Sequence, residues 1–442
     1  MKKLEDWGLR VPEILLPKNI DISTWSVIAC DQYTQDLDYW KKAEHTASGK
    51  PSTLNLILPE VYLGSSDKKD RINNIRSNMK KYLDEGVFDK ARKCFVYLER
   101  KTAFGRMRKG LVAQIDLETY EWKPFSKANI RATEATIVDR IPPRMEIRKG
   151  APIELPHIML LVNDKDDILV GGAGKVASSK APLYKGELMN NGGSITGWSL
   201  ESNEEIDVVT KAVNTIAEKN TNSDGSTFLF AVGDGNHSLA TAKAVWDEYK
   251  AELIAKGASE EELLNSNVRY ALIEIVNIYD SGLTFEPIHR VIFNIDNMAL
   301  INHLAKALDG KISEVKDVKT LEEKVKNSWA NFGFDFLDEN KNQKYILLET
   351  NIKELAVSRL QPEIDDFIKK SDKAEIDYIH GTDEVMNLGT KENSLGILLP
   401  PIAKDSFFET INGRGPLPRK SFSMGEADEK RFYLECRKLF DY

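Results

Sequence analysis

Cysteine is scarce in this 442-residue chain: Cys30, Cys94 and Cys436 lie far apart, are odd in number and form no CxxC pair. That excludes a disulfide scaffold and points to a reducing cytoplasm. Long apolar runs are missing as well. The longest, 158–162 and 395–401, fall far short of the roughly 18 residues that suggest a membrane span. The first ten residues hold Glu5 and Asp6 where a signal peptide needs an apolar stretch, so no secretion signal is expected. A basic excess is absent too, with 61 Lys+Arg against 69 Asp+Glu for a net charge of −8. This argues against a dedicated nucleic-acid binder, though it leaves room for one basic pocket. The six histidines include no HxxxH, HExxH or Cys/His cluster, so no structural zinc is expected. The reading is of a soluble, cytoplasmic protein that engages neither nucleic acid nor membrane.

What the chain does contain is ordinary globular material, 41% hydrophobic and 29% charged. Helical and strand periods alternate throughout, which predicts an α/β or α+β fold with mixed sheets. Ile72, Ile75, Met79 and Leu83 recur at helical spacing over 66–86, with Gly86 placed to end the helix. Ile206, Val209, Val213 and Ile216 repeat the pattern. Residues 95–98, 111–117, 268–278, 345–349 and 375–379 read as strands, with a short one after Pro287. Residues 298–308 read as a helix, and 426–440 as a closing helix. Residues 158–162 and 168–170 flank a polar stretch and predict a hairpin with an acidic tip. Loops are expected at 189–197 and 219–226. Three regions are expected: 1–200, α/β with an Arg-rich strand; 201–310, a strand–turn–helix core; and 311–442, α/β and packed on that core.

Two glycine-rich segments imitate nucleotide motifs. Gly171-Gly172-Ala173-Gly174-Lys175 has Val176 where a P-loop needs Ser/Thr, and reads as a turn after a strand. Gly233-Asp234-Gly235 is followed by Ser238 where a dinucleotide fingerprint wants a third glycine. The second segment nevertheless joins an apolar strand, 227–232, to an amphipathic helix striped by Leu239, Ala242, Trp246, Tyr249 and Leu253. Such a turn lets backbone approach a ligand, and the helix that follows offers N–H groups to an anion. Asp234 could hold a metal ion or orient a hydroxyl, and His237 and Ser238 add donors. The ordinary alternative is a helix capped by Asn236 with Asp234 in an Asx-turn. Both readings stay open from the residues alone.

The run Asp234-Gly235-Asn236-His237-Ser238-Leu239-Ala240-Thr241-Ala242 resembles the DGHHR-then-helix signature of the DUF1015 family, a family of unknown function. A similar motif occurs in ParB/sulfiredoxin-like proteins, including free-serine kinases. The resemblance to DUF1015 runs nearly end to end. It takes in Val27-Ile28-Ala29-Cys30-Asp31-Gln32-Tyr33-Thr34, then Arg131-Ala132-Thr133-Glu134-Ala135-Thr136 with Arg140, which looks like the family's HExT…R segment. It continues through Pro287-Ile288-His289-Arg290, Tyr378-Ile379-His380-Gly381 and Leu417-Pro418-Arg419-Lys420-Ser421. The chain departs from the signature in two places. Asn236 replaces its first His, and Ser238 replaces its Arg, so any cation for a phosphate must come from elsewhere.

Two locally cationic segments could supply it, 131–150 and 414–431. Arginine forks suit phosphate or carboxylate, whereas the same pattern also fits a solvated, half-exposed strand. His289 and Arg290 follow a strand-starting proline, or else form a plain surface pair. Arg419 and Lys420 sit in a Pro/Gly-flanked loop. Glu134 and Asp31 are carboxylates set among cations or behind an apolar strand, as a general base should be. Cys30 reads as a structural thiol, and His157, after Glu154, as a packed imidazole.

These residues and the kinase resemblance together imply a phosphotransferase for a small hydroxylated or phosphorylated metabolite, such as an amino acid or hydroxy acid. Phosphate would bind Gly233, Gly235, Asn236 and Ser238, and Asp234 would share Mg²⁺ with ATP, ADP or pyrophosphate. His237, with Glu134 or Asp31, would act on protons. His289, Arg290, Arg419 and Lys420 would neutralise the phosphoryl group, and Arg131, Arg140 and Thr136 would hold the substrate. The rivals are a ParB-like nucleotide-binding regulatory module, a homodimer in its switching form, and a phosphate-monoester hydrolase.

Overall fold

The computed structural model describes residues 1–441 apart from 20 and 372. Its chain packs as two units: Met1–Ala132, Thr136–Leu283 and Gly425–Tyr442 form the first, and Thr133–Ala135 with Thr284–Met424 the second. The fold is α/β, as the alternating periods predict. All three cysteines are free. Among the described residues no helix is long and apolar enough to cross a membrane.

The first unit is built on a ten-stranded mixed sheet. In chain order its strands are β1 (Leu9–Arg10), β2 (Phe95–Lys101), β3 (Met107–Asp116), β4 (Tyr120–Glu121), β5 (Ile130–Ala132), β6 (Met159–Val162), β7 (Tyr184–Glu187), β8 (Ser194–Leu200), β9 (Phe230–Asp234) and β10 (Tyr270–Asn277). They lie side by side as β7-β8-β2-β3-β10-β6-β9-β5-β4, with β1 pairing β3. β9 runs parallel to β5 and antiparallel to β6. Helices α1 (Lys68–Asp84), α2 (Ile141–Arg148), α3 (Val170–Ala177), α4 (Asn203–Lys219) and α5 (Asn236–Ala255) accompany it. α1, α4 and α5 match the helical spacings, and Gly86 takes up the left-handed conformation (φ +67°) just past α1. The central strands are buried throughout, as expected of strands flanked on both sides.

Residues 158–170 do not form a hairpin. After β6 the acidic loop folds back, Asp164 Oδ2 accepting from Leu169 N (2.9 Å) and Asp167 Oδ1 from Gly171 N (3.1 Å). The two aspartates thereby satisfy backbone donors where a helix begins. The glycine segment after it is that helix, α3, and not a turn. A Cβ at Gly174 would stand 2.5 Å from Tyr97 Cζ, so glycine here permits close packing on β2. The loop expected over 189–197 likewise gives way at Ser194 to β8.

The predicted C-terminal helix is also absent. Residues 425–441 are extended, with one 3-10 turn (Ala427–Glu429), bridges Ile28↔Phe432 and Leu15↔Cys436, and a short strand (Arg437–Lys438) on Ile153–Glu154. From Glu429 to Arg437 every residue is buried. A helix would expose one face, whereas this segment has no exposed face, because Arg431 and Arg437 meet buried carboxylates. Tertiary pairing overrides local propensity.

The second unit holds a six-stranded sheet of β11 (His289–Phe293), β12 (Lys311–Glu314), β13 (Phe332–Leu337), β14 (Gln343–Glu349), β15 (Glu375–Ile379) and β16 (Ser394–Leu398). Their order is β12-β14-β13-β16-β11-β15, with every neighbouring pair antiparallel.

Candidate active site at the β9–α5 turn

β9 leaves its ladder irregularly. Val232 faces Leu160 and Asp234 faces Met159, so Gly233 is skipped. A bulge of this kind re-aims the next side chain, here Asp234. Gly235 then stands at φ +82°, and a Cβ on it would lie 3.1 Å from Ile158 Cα. Left-handed backbone and close approach together require glycine. Helix α5 starts at Asn236, so Gly235 and not Asn236 is the N-cap. No side chain caps the first turn, and no acidic residue lies within it. An uncapped, carboxylate-free helix start attracts an anion.

Charged groups of the same unit surround this turn. Lys430 Nζ lies 3.5 Å from Asp234 Oδ2, an oxygen with no hydrogen-bond partner among the described residues. Burial would raise the Asp31 carboxyl, but His157, a hydrogen bond from Gln32 and Lys430 outweigh it and hold the pKa below its usual range. Asp31 Oδ2 is 3.8 Å from His157 Nε2. That Nε2 is 2.9 Å from Ser238 Oγ, and His157 Nδ1 is 2.7 Å from the Tyr433 hydroxyl. Arg144 is fixed by Glu60, with Nε to Oε1 at 2.9 Å. A cavity of about 140 Å³ opens beside Ser238 and His157, with Leu56, Leu63, Met79 and Ile147 on its apolar walls.

His237 sits in the first turn of α5, and its Nε2 accepts from Ile137 N (3.3 Å). Burial, then the positive charge of Arg140 and Arg144, pulls its pKa down to about 4. The imidazole is therefore neutral at pH 7, with its proton on Nδ1. An NMR titration of His237 should have its midpoint near 4. Between about 6.5 and 4 the unfolded chain takes up a proton that the folded chain refuses, so this residue makes stability decline as pH falls through that window. His237→Asn should remove that part of the slope.

Other expected site residues have different settings. Thr136 directly precedes Ile137, and its buried hydroxyl has no hydrogen-bond partner among the described residues. Arg140 is exposed. Arg131 is engaged by the fold: it is buried on β5, donates to Ala128 O (2.8 Å) and stacks 4.6 Å from the Phe228 ring.

Glu134, His289, Arg290, Arg419 and Lys420 belong to the second unit. Glu134 Oε1 accepts from Ser421 N (3.3 Å). His289 and Arg290 are buried, which overturns the surface-pair alternative. His289 Nδ1 accepts from Leu399 N (3.0 Å), and burial with the neighbouring Arg290 charge lowers its pKa to about 4. Arg290 Nε donates to Gln361 Oε1 (2.9 Å). Burial lowers its pKa to about 10 against the attraction of Tyr378, Glu134 and Asp365. Arg419 and Lys420 are exposed in their loop.

Sequence reasoning placed Asp31, Asp234, His237 and Ser238 here, and noted Lys430 and Arg144 only as members of cationic segments. It missed Tyr433 and the engagement of His157. Their partners are 276 and 81 residues distant along the chain, beyond the reach of any local pattern.

Several solved structures are similar to this chain at low identity. A conserved hypothetical protein from Pyrococcus furiosus is 13% identical, with a TM-score of 0.35, 74% of this chain covered and 94% of that one. A free serine kinase in complex with AMP is 11% identical, with a TM-score of 0.36 and coverages of 73% and 90%. SbnI from Staphylococcus aureus, truncated at its C-terminus, is 7% identical, with a TM-score of 0.34 and coverages of 71% and 82%. Superpositions at this level carry no argument about activity. No curated protein matches the chain. Residues 14–390, by contrast, match the family described as "Protein of unknown function (DUF1015)", and the chain belongs to that family.

Proposed function

We propose that the protein transfers a phosphoryl group from a nucleotide or pyrophosphate to the hydroxyl of a small metabolite at the start of α5. The observation that carries this reading is the uncapped, carboxylate-free first turn behind Gly235, within the field of Arg140 and Arg144 that His237 feels. Backbone N–H groups of that turn would hold donor phosphate oxygens. Arg140, Arg144 and Lys430 would offset charge on the transferring group, since this chemistry rests on positioning and electrostatics. Asp31, ionised and partly exposed, would accept the proton of the acceptor hydroxyl.

Asp234 Oδ2, which has an ion-pair contact to Lys430 but no hydrogen bond among the described residues, fits one ligand of a Mg²⁺ ion. Among the described residues no three His, Cys, Asp or Glu side chains gather as a metal cage, but Mg²⁺ characteristically takes one or two carboxylates plus substrate phosphates. When bound, it would neutralise phosphate charge. Glu134, Arg290, Arg419 and Lys420 are not needed for this reading.

Calorimetry with ATP, ADP and pyrophosphate tests it, followed by a search for phosphorylated product in a pool of hydroxylated metabolites. The expected result is binding by the unmodified protein. Arg140→Ala should weaken it about tenfold, the equivalent of one charge-assisted contact of roughly 1.5 kcal/mol. No binding of any of the three ligands would overturn the site. Binding that alters the oligomeric state without product would replace transfer by nucleotide switching.

A further inference from the structure

Ser238 lies in the first turn of α5, and the structure places its Oγ 2.9 Å from a buried imidazole nitrogen, His157 Nε2. The other ring nitrogen meets the Tyr433 hydroxyl at 2.7 Å. That hydroxyl also accepts from Cys30 N (3.2 Å). In the tautomer that carries the ring proton on Nδ1, His157 donates to the Tyr433 hydroxyl. His157 Nε2 is then bare and accepts the Ser238 proton. A hydroxyl, a base hydrogen-bonded to it and a third group orienting that base make up the arrangement of an activated nucleophile. Ser238 Oγ is reachable, since Ser238 and His157 both line the cavity of about 140 Å³. That first turn of α5 is uncapped.

We propose that Ser238 is the nucleophile of a two-step transfer and carries the phosphoryl group as phosphoserine between donor and acceptor. The proposal rests on the phosphotransfer reading above and adds the covalent step. In the first step Ser238 Oγ attacks the terminal phosphorus, so an Oγ–P bond forms. The bridging P–O bond breaks, the nucleoside diphosphate or phosphate leaves, and the Ser238 proton passes to His157 Nε2. Asp31 Oδ2, 3.8 Å from that nitrogen, stabilises the imidazolium. In the second step the acceptor oxygen attacks the same phosphorus and gives its proton to Asp31. Ser238 Oγ leaves and recovers its own proton from His157. Tyr433 is a positioning residue that holds the tautomer. The apolar cavity wall suits the aliphatic part of a short hydroxylated acceptor.

The test incubates the full chain with ATP and Mg²⁺ without acceptor, then maps peptides by mass. The expected result is one phosphoryl group on the peptide holding Ser238. Ser238→Ala should lose label and turnover while its ATP affinity and unfolding curve stay close to those of the unmodified protein. A second measurement needs no variant. With a donor chiral at the terminal phosphorus, two displacements retain configuration in the product and one inverts it. If none of ATP, ADP and pyrophosphate binds the unmodified protein, the phosphotransfer reading falls and this step with it. Product with inverted configuration, no label on Ser238 and an active Ser238→Ala would leave transfer standing and overturn the covalent step.

Discussion

Arg431→Met should lower the stability of the first unit by about 3–5 kcal/mol, the usual cost of stranding buried charge. Arg431 is 2% exposed, and its partners Glu274 and Glu435 are 0% exposed. The guanidinium bridges both carboxylates through Nη1 and Nη2, and its Nε donates to Pro156 O (3.1 Å). Its removal leaves Glu435 with the Tyr184 hydroxyl, and Glu274 with Arg108 at 3.5 Å. Burial pushes the Glu274 carboxyl up, yet Arg108 and Arg431 hold it below its usual range. Its stabilising share is therefore present above the unfolded pKa of about 4.3 and lost as pH falls through the lower folded value. Urea unfolding of the variant should show the lower midpoint. Replacing Arg431 and Glu435 together by apolar residues of similar volume should recover most of the loss, because Glu274 keeps Arg108 and no carboxylate is then left without a cation. A double variant as unstable as the single one would show that the loss comes from packing and not from charge.

Asp31→Asn should reduce kcat for phosphoryl transfer by on the order of 10²–10⁴, the range for a positioned base. KM for the donor should change little, since Asp31 would touch the acceptor proton and not the donor phosphates. Because Asp31 is held below the ordinary carboxylate range, the reactive ionised form should persist through mildly acid pH. The part of the activity that depends on Asp31 should fall only as pH drops through that lowered value. A rate profile that collapses between pH 6 and 7 would move the role to a histidine. His237, neutral down to about 4, would not produce such a profile either.

Much of the local structure is legible without the fold. Residues 203–219 announce themselves by apolar spacing and by Ser202 and Glu205, which form a capping box. β9, Gly235 and α5 follow directly from an apolar strand, a glycine and a 3.6-residue stripe. Where both faces of a segment are buried, that logic fails. Residues 425–441 mix apolar and charged side chains in a way that imitates an amphipathic helix, yet every charge in Arg431, Glu435 and Arg437 is neutralised inside the unit. The acidic stretch before α3 escapes local patterning for a related reason: its aspartates bond backbone N–H groups at the helix start instead of facing water.

The sequence by itself determined the family, the α/β class, and the strand–turn–helix with its obligatory glycine. Each of these depends on residue type and short spacing. Only the tertiary structure decided that Ser238, Tyr433 and Asp31 meet at His157 and that Lys430 meets Asp234. These contacts join segments between roughly 80 and 400 residues apart, measured by the bonds His157–Ser238 and Cys30–Tyr433. No local periodicity encodes them. They exist because burying the C-terminal segment and the strand core brings polar groups together that must then satisfy one another.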